Sequence, residues 1–117
     1  MKKILIIDDE PDFCHFLKLN LELNEEFKAT VCVQSTEAAQ VAEMLQPDVV
    51  FLDFMMPGIS GTEVAEKLRN NPKTNRIPIV FLTAVTGQEK ALENQRKLEK
   101  PVEMETLLKT VEEVTAA

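Results

Sequence analysis

The chain has 117 residues, 44% of them hydrophobic, which suits one domain over residues 1–117 and argues against disorder. Its 20 acidic and 13 basic residues give a net charge of −7, which disfavours direct nucleic-acid binding because phosphates require a basic surface. No apolar run approaches the roughly 20 residues that span a bilayer, and acids directly follow the short N-terminal apolar run. We therefore expect a cytoplasmic protein without membrane insertion.

The two cysteines, Cys14 and Cys32, do not form a C-x-x-C motif. His15 adjoins Cys14, but adjacent side chains on a helix point about 100° apart, which is poor geometry for sharing one metal ion. We expect both cysteines to be reduced packing residues, as is usual in cytosolic proteins.

Four short apolar runs along the chain predict buried strands. In chain order they are "KILII" (3–7), "ATVCV" (29–33), "DVVFLD" (48–53) and "IPIVFLT" (77–83). The stretch between Thr83 and Lys100 is more polar, and it contains one short helical candidate followed by a very polar fifth strand.

Amphipathic patterns predict helices between and after these strands. Pro11 stands near the start of the first helix, where proline is tolerated, and Ser35 is the predicted N-cap of the second. The predicted apolar faces are, in chain order, Phe13, Phe16, Leu17 and Leu21; Ala38, Val41, Ala42 and Leu45; Val64, Ala65 and Leu68; and Met104, Leu107, Leu108, Val111 and Val114. Apolar strands alternating with such helices indicate a doubly wound α/β domain with a parallel sheet.

Polar side chains stand where these strands end. Asp8 and Asp9 follow the first strand, Asp53 ends the third, Thr83 ends the fourth and Lys100 follows the fifth. Ligands of a doubly wound sheet bind outside the carboxyl ends of its strands, so we expect these groups to converge there. Taken alone, Asp9 and Glu10 could instead cap the first helix at its positive end.

Three neighbouring carboxylates repel one another unless a cation neutralises them. Mg²⁺ suits one or two carboxylates together with waters, a carbonyl and phosphate oxygens. An ionised Asp53 is then a competent oxygen nucleophile toward phosphorus and would form an aspartyl-phosphate. Thr83 would supply a hydrogen bond, and Lys100 a positive charge, to the phosphoryl oxygens.

The motifs "IIDDE", "VVFLDFMMPGISG", "IPIVFLTA" and "LEKP" together resemble the bacterial response-regulator receiver domain, the CheY-like family, over essentially the whole chain. The resemblance implies a (βα)5 flavodoxin-like fold with a five-stranded parallel sheet in the order 2-1-3-4-5. It also implies a cis bond between Lys100 and Pro101.

The same resemblance implies roles for the clustered residues. Asp53 would accept a phosphoryl group from a sensor histidine kinase or phosphotransfer protein, with Thr83 and Lys100 contacting the phosphoryl group. Mg²⁺ would be bound by the side chains of Asp8, Asp9 and Asp53 and by the backbone carbonyl of Met55. The protein would then regulate a downstream effector protein by direct contact.

The sequence also departs from the family pattern before the fifth strand. Lys97 occupies a position that is usually Tyr or Phe, and the segment from Thr83 to Lys100 is about five residues shorter than usual. We therefore expect the fourth helix to be short or irregular. A degenerate receiver that acts as a constitutive protein-binding module is the alternative that these departures favour.

Two other classes fit less well. A haloacid-dehalogenase-type phosphohydrolase needs a second acid two residues after its nucleophile, where this chain has Met55. A flavodoxin-like nucleotide binder needs backbone N–H groups in its first loop, where Asp8 and Asp9 would repel a phosphate. We therefore expect a signalling protein and not an enzyme with a separate substrate.

Overall fold

The strands form one parallel sheet in the order β2-β1-β3-β4-β5, as predicted. The structure is a computed structural model and describes residues 1–84 and 92–116. The strands are β1 (Lys2–Ile7), β2 (Phe27–Cys32), β3 (Val49–Asp53), β4 (Ile79–Thr83) and β5 (Lys97–Glu99). Their ends differ from the predicted ends by no more than two residues, and the polar fifth strand is confirmed.

Four helices cover the two faces of the sheet in the part of the chain that is described. They are α1 (Pro11–Leu21), α2 (Ser35–Leu45), α3 (Gly61–Arg69) and α4 (Met104–Thr115). The predicted fourth helix, short or irregular, falls mainly on residues 85–91, which lie outside the described residues.

Alternate residues of the strands lie in two separate apolar cores, one on each face of the sheet. On one face, α2 and α3 pack against residues such as Leu5, Leu52 and Phe81. On the other face, α1 and α4 pack against residues such as Ile6 and Phe51. Because both faces of β1 and β3 are buried, these strands read as continuous apolar runs and not as alternating ones.

The predicted apolar face of α1 is partly wrong. Cys14, Leu17 and Leu21 are the buried positions of this helix, whereas Phe16 is 53% exposed. Cys14, Leu17 and Leu21 are spaced three and four residues apart and form one stripe, which leaves Phe16 on the flank of the helix. The predicted faces of the other three helices all contribute to the cores.

The N-cap predicted for α2 is also wrong. Gln34 is the capping residue, and Ser35 is the first residue of the helix. The hydroxyl of Ser35 instead bonds the loop after β3: it donates to the Pro57 carbonyl and accepts from the Ile59 N–H, both at 3.0 Å. The hydroxyl that local sequence predicted to cap the helix therefore bonds a distant loop instead.

The cysteines behave as packing residues, as predicted. Cys14 and Cys32 are both buried and free, and their thiols donate to the carbonyls of Asp8 and Gln34. Burial raises the pKa of Cys14 to about 12, so this thiol is inert at neutral pH. His15 is exposed while Cys14 is buried, so the two side chains lie in different surroundings. Among the helices of the described residues, none is both long and apolar enough to cross a membrane.

Candidate functional site

Three carboxylates meet at the carboxyl edge of the sheet. Asp8 directly follows β1 and Asp53 ends β3, and these strands are neighbours with Ile7 opposite Leu52. Each of Asp8, Asp9 and Asp53 offers an oxygen atom, and the three atoms lie within 4.8 Å of one another. The sheet, and not the local sequence, therefore holds Asp53 beside the two acids from the first strand.

Lys100 reaches into this cluster from β5. Its backbone N–H donates to the Thr83 carbonyl at 2.8 Å, which fixes the residue beside the end of β4. Its ammonium lies 2.8 Å from Asp8 Oδ2 and 3.7 Å from Asp53 Oδ1. The peptide bond between Lys100 and Pro101 is cis, as the family resemblance implied.

Thr83 lies at the edge of the same site, but its hydroxyl points elsewhere. The residue is buried, and Thr83 Oγ1 donates to the carbonyl of Ala84 at 2.9 Å. The predicted contact between Thr83 and a phosphoryl group therefore requires the hydroxyl to leave this carbonyl.

Burial and mutual repulsion set the charge state of the carboxyl groups. The pKa of Asp53 is raised to about 7, first by burial and then by the negative charge of Asp8, while the Lys100 ammonium acts in the opposite direction. Burial also raises the pKa of Asp8, although the contacts with Lys100 and with the Glu10 backbone N–H act to lower it. Burial lowers the pKa of Lys100, but its carboxylate partners outweigh this, so its net pKa is raised. The site thus concentrates negative charge that one ammonium only partly neutralises.

The donor set fits a hard divalent cation. Asp8 is fully buried, and its Oδ1 accepts the Glu10 N–H at 3.0 Å. Its Oδ2 is close to the Lys100 ammonium, but the contact lacks hydrogen-bond geometry, so this oxygen has no hydrogen-bond donor within the described ranges. Mg²⁺ can satisfy such an arrangement, in which a buried carboxylate oxygen faces an ammonium outside hydrogen-bond geometry and two further carboxylates lie beside it.

The site opens to solvent through a cleft of about 380 Å³. It is lined by Asp9, Glu10, Asp53, Phe54, Met55, Ala84 and Lys100. Met55 lies at the rim, where its N–H is 3.4 Å from Asp53 Oδ1. The carboxylate of Asp53 is therefore accessible to a small group, although the residue is only 5% exposed.

Gly61 explains how α3 begins so close to the end of β3. A Cβ at this position would overlap the Asp53 carbonyl oxygen and lie 2.9 Å from Phe54 Cα. The Gly61 N–H also donates to the Phe54 carbonyl at 3.1 Å. Only glycine permits this approach, which turns the chain sharply after the acid.

Sequence reasoning missed two partners of Lys100. Glu10 Oε1 lies 3.2 Å from the ammonium, and the Phe13 ring centroid lies 4.6 Å from it. Local sequence indicates only a helix cap for Glu10 and a packing role for Phe13. It carries no signal that links them to a lysine so far along the chain.

Comparison with known proteins gives the class of this domain. The model of the family described as the response regulator receiver domain matches residues 4–112. Protein PilH of Pseudomonas aeruginosa is 31% identical over 121 residues, with 99% of each chain covered. The chain therefore belongs to the response regulator receiver domain family of two-component signalling.

Other relatives are longer proteins. The phosphate regulon transcriptional regulatory protein PhoB of Rhizobium meliloti is 38% identical over 89 residues, which cover 76% of this chain and 38% of PhoB. The DNA-binding regulator RpaA of Synechocystis is 36% identical, and the match covers 35% of its length. The chain thus spans just over a third of these two relatives.

Solved structures agree with this assignment. A putative response regulator from Chloroflexus aurantiacus has a TM-score of 0.87 at 27% identity, with 99% of this chain and 98% of that one covered. The chemotaxis protein CheY4 of Vibrio cholerae has a TM-score of 0.84 at 28% identity, with 97% and 98% covered. The receiver domain of sensor histidine kinase PA1611 from Pseudomonas aeruginosa shares the fold, with a TM-score of 0.89 at 21% identity. The match covers 99% of this chain and 98% of that one. That domain was solved with a magnesium ion coordinated in its active-site cleft.

Proposed function

We propose that this receiver domain accepts a phosphoryl group on Asp53 and regulates a partner protein through the change that follows. The observation that carries this proposal is the convergence of Asp8, Asp9 and Asp53 around one accessible cleft, with Lys100 beside them. A chain of this family with the complete acidic cluster is better suited to phosphorylation than to the constitutive binding of a degenerate receiver.

The donor is a histidine kinase or phosphotransfer protein that presents a phosphohistidine. One oxygen of the ionised Asp53 carboxylate attacks phosphorus, and a new P–O bond forms as the P–N bond breaks. The electron pair of the P–N bond returns to the imidazole nitrogen of the donor. Asp53 is suited to this role because its carboxylate opens to the cleft while its backbone is fixed in β3.

Mg²⁺ is the cofactor that we assign to the cluster, held by Asp8, Asp9 and Asp53 and by the carbonyl of Met55. When bound, it would neutralise the carboxylates and attract phosphoryl oxygens. Lys100 would pair with the phosphoryl group, and Thr83 would donate a hydrogen bond to it. Both residues already lie at the ends of adjacent strands, paired in register with Thr83 opposite Glu99.

An apolar patch beside the cleft suits the docking of the donor. Phe13, Phe16, Pro101 and Val102 line a second depression of about 450 Å³, which shares Glu10 and Lys100 with the acidic cleft. Phe16 is 53% exposed on α1, where an amphipathic helix carrying the histidine could cover it. The patch would thus bring the phosphohistidine to Asp53.

The net charge and the cysteines of the chain support a protein partner and a reducing compartment. The net charge of −7 disfavours direct contact with nucleic acid, so the effector contacted by this domain would be a protein. Two buried free cysteines are typical of cytoplasmic proteins, and we place the chain there.

The proposal is tested by incubating the protein with acetyl phosphate and Mg²⁺ and measuring its intact mass. The wild type should gain the mass of one phosphoryl group, and hydroxylamine should remove it, as expected of an acyl phosphate. Asp53→Asn should gain none. An unchanged wild-type mass would favour the degenerate receiver instead.

A further inference from the structure

The loop between β3 and α3, residues 54–60, determines where the Met55 carbonyl lies. Backbone hydrogen bonds fix its first part, because the Phe54 N–H donates to the Leu82 carbonyl at 2.9 Å and the Phe54 carbonyl accepts from Gly61 at 3.1 Å. Ser60 caps α3 by accepting the Glu63 N–H at 3.3 Å. The middle of the loop depends on other contacts.

One hydroxyl holds that middle part. Ser35 Oγ donates to the Pro57 carbonyl and accepts from the Ile59 N–H, both at 3.0 Å. These two backbone groups flank Gly58, whose φ of +86° is a conformation that favours glycine. Over the ranges that the structure describes, no other hydrogen bond reaches either group. The hydroxyl therefore clamps both sides of the left-handed residue.

The position of Ser35 makes this clamp specific. Ser35 is the first residue of α2 and only 6% exposed, and its hydroxyl bonds the loop after β3 and not its own helix. A Cβ at Gly58 would lie 3.1 Å from Ser35 Oγ, so the loop passes directly over the hydroxyl. The start of α2 and the loop after Asp53 are thereby joined by one side chain.

We propose that Ser35 is a positioning residue for the cation site: it holds the loop in the conformation that presents Met55 to the acidic cluster. This inference rests on the proposed function, because it assumes that the cluster binds Mg²⁺. Without the hydroxyl, the Gly58 turn loses both of its flanking restraints, and the loop is free to adopt other conformations. The fraction of molecules with a complete cation site then falls, and the apparent affinity falls by the same factor.

The experiment measures Mg²⁺ affinity by titration calorimetry and the initial rate of phosphorylation by acetyl phosphate as a function of Mg²⁺. Ser35→Ala should bind Mg²⁺ about three- to tenfold more weakly, which is the loss expected when one or two neutral hydrogen bonds no longer hold the competent loop. Its phosphorylation rate should return to the wild-type value at saturating Mg²⁺, because no reacting group is changed.

Thr74→Val provides the matched control. Thr74 is 1% exposed, and its hydroxyl donates to the Leu68 carbonyl at 2.7 Å, in the connection that precedes β4 at the opposite edge of the sheet. This variant should lower the midpoint of thermal unfolding without changing Mg²⁺ affinity. Gly58→Ala strains the same loop, because its side chain would require a φ of +86° and would lie 3.1 Å from Ser35 Oγ, and it should weaken Mg²⁺ binding as Ser35→Ala does.

The outcomes separate this inference from the proposed function. If the wild type binds Mg²⁺ but takes up no phosphoryl group, the proposed function fails and the inference is judged on the affinities alone. If Ser35→Ala binds Mg²⁺ as tightly as the wild type, or if Thr74→Val weakens binding equally, Ser35 has no positioning role. A wild type that binds no Mg²⁺ overturns the inference.

Discussion

The ammonium of Lys100 lies closer to Asp8 than to the phosphoacceptor candidate: it is 2.8 Å from Asp8 Oδ2 and 3.7 Å from Asp53 Oδ1. The lysine therefore neutralises the fully buried carboxylate first. A cation bound by Asp8 would compete with Lys100 for this oxygen. In the unphosphorylated site the ammonium thus binds Asp8 most closely while it remains within ion-pair distance of Asp53.

Replacing Lys100 tests this competition. Lys100→Met should lower the free energy of unfolding without Mg²⁺ by about 2 kcal/mol, because Asp8 is left buried without its counter-charge. Mg²⁺ should then stabilise the variant more than the wild type, since no ammonium has to be displaced. Thermal unfolding at increasing Mg²⁺ measures both effects.

Lys73→Met is the control for the loss of a lysine. Lys73 pairs with Glu43 at 3.2 Å on the surface, where both side chains are more than a third exposed. Its removal should change the free energy of unfolding by less than about 1 kcal/mol and leave the response to Mg²⁺ unchanged. Equal behaviour of the Lys100 and Lys73 variants would show that Lys100 does not share the cation's ligands.

Asp9 is the least buried acid of the cluster, and its contribution can be measured alone. Asp9→Asn should weaken Mg²⁺ binding at least about tenfold, because a hard charged ligand becomes a neutral one. Asp12→Asn makes the same change of charge in the first turn of α1. If calorimetry finds the same Mg²⁺ affinity in both variants, Asp9 is not a ligand.

A third prediction concerns pH and the edge strand β2. Glu22 Oε2 accepts the Ala29 N–H and the Lys18 ammonium, each at 3.0 Å. These contacts, the Ala29 bond first, hold the pKa of Glu22 below its usual 4.5. Because the folded state binds this proton less readily than the unfolded chain, Glu22 stabilises the protein above pH 4.5, and the contribution is lost as the pH falls through the lowered pKa.

Urea unfolding at several pH values measures this contribution. Glu22→Gln should be less stable than the wild type by about 0.5–1 kcal/mol at pH 7, and the difference should vanish in acid. Glu25→Gln, an exposed neighbour of equal charge, should show little difference at either pH. A difference for Glu22→Gln that grows as the pH falls would show that Glu22 does not stabilise the folded protein as a carboxylate.

The fold and the composition of the site can be predicted from sequence because they depend mainly on the pattern of residues within each strand and helix. Apolar strands between amphipathic helices specify the parallel sheet, and the residue after each strand must lie at its carboxyl edge. The order of these elements places Asp8 and Asp53 at the same edge of the sheet, and the strand order that the family resemblance implies makes their two strands neighbours. Lys100 follows from its place after the fifth strand.

The parts that sequence did not predict depend on tertiary packing. The inward face of α1 is wrongly predicted at Phe16 because both flanks of that helix are apolar, and the sheet decides which one is buried. The hydroxyl of Ser35 could cap its own helix or bond a loop, and only the position of Gly58 decides between them. Lys100 pairs with Glu10 because its side chain extends from the end of β5 to the start of α1, a contact that no spacing along the chain reveals.

If Asp53 can take up a phosphoryl group only when the acidic cluster holds a divalent cation, phosphorylation must depend on Mg²⁺. The most direct measurement is the intact mass of the wild type after exposure to acetyl phosphate, in Mg²⁺ and in a chelator, with Asp53→Asn beside it. We expect one added phosphoryl group in the wild type with Mg²⁺ and none in the other three samples. Equal phosphorylation of the wild type in the chelator, or any gain by Asp53→Asn, would contradict it.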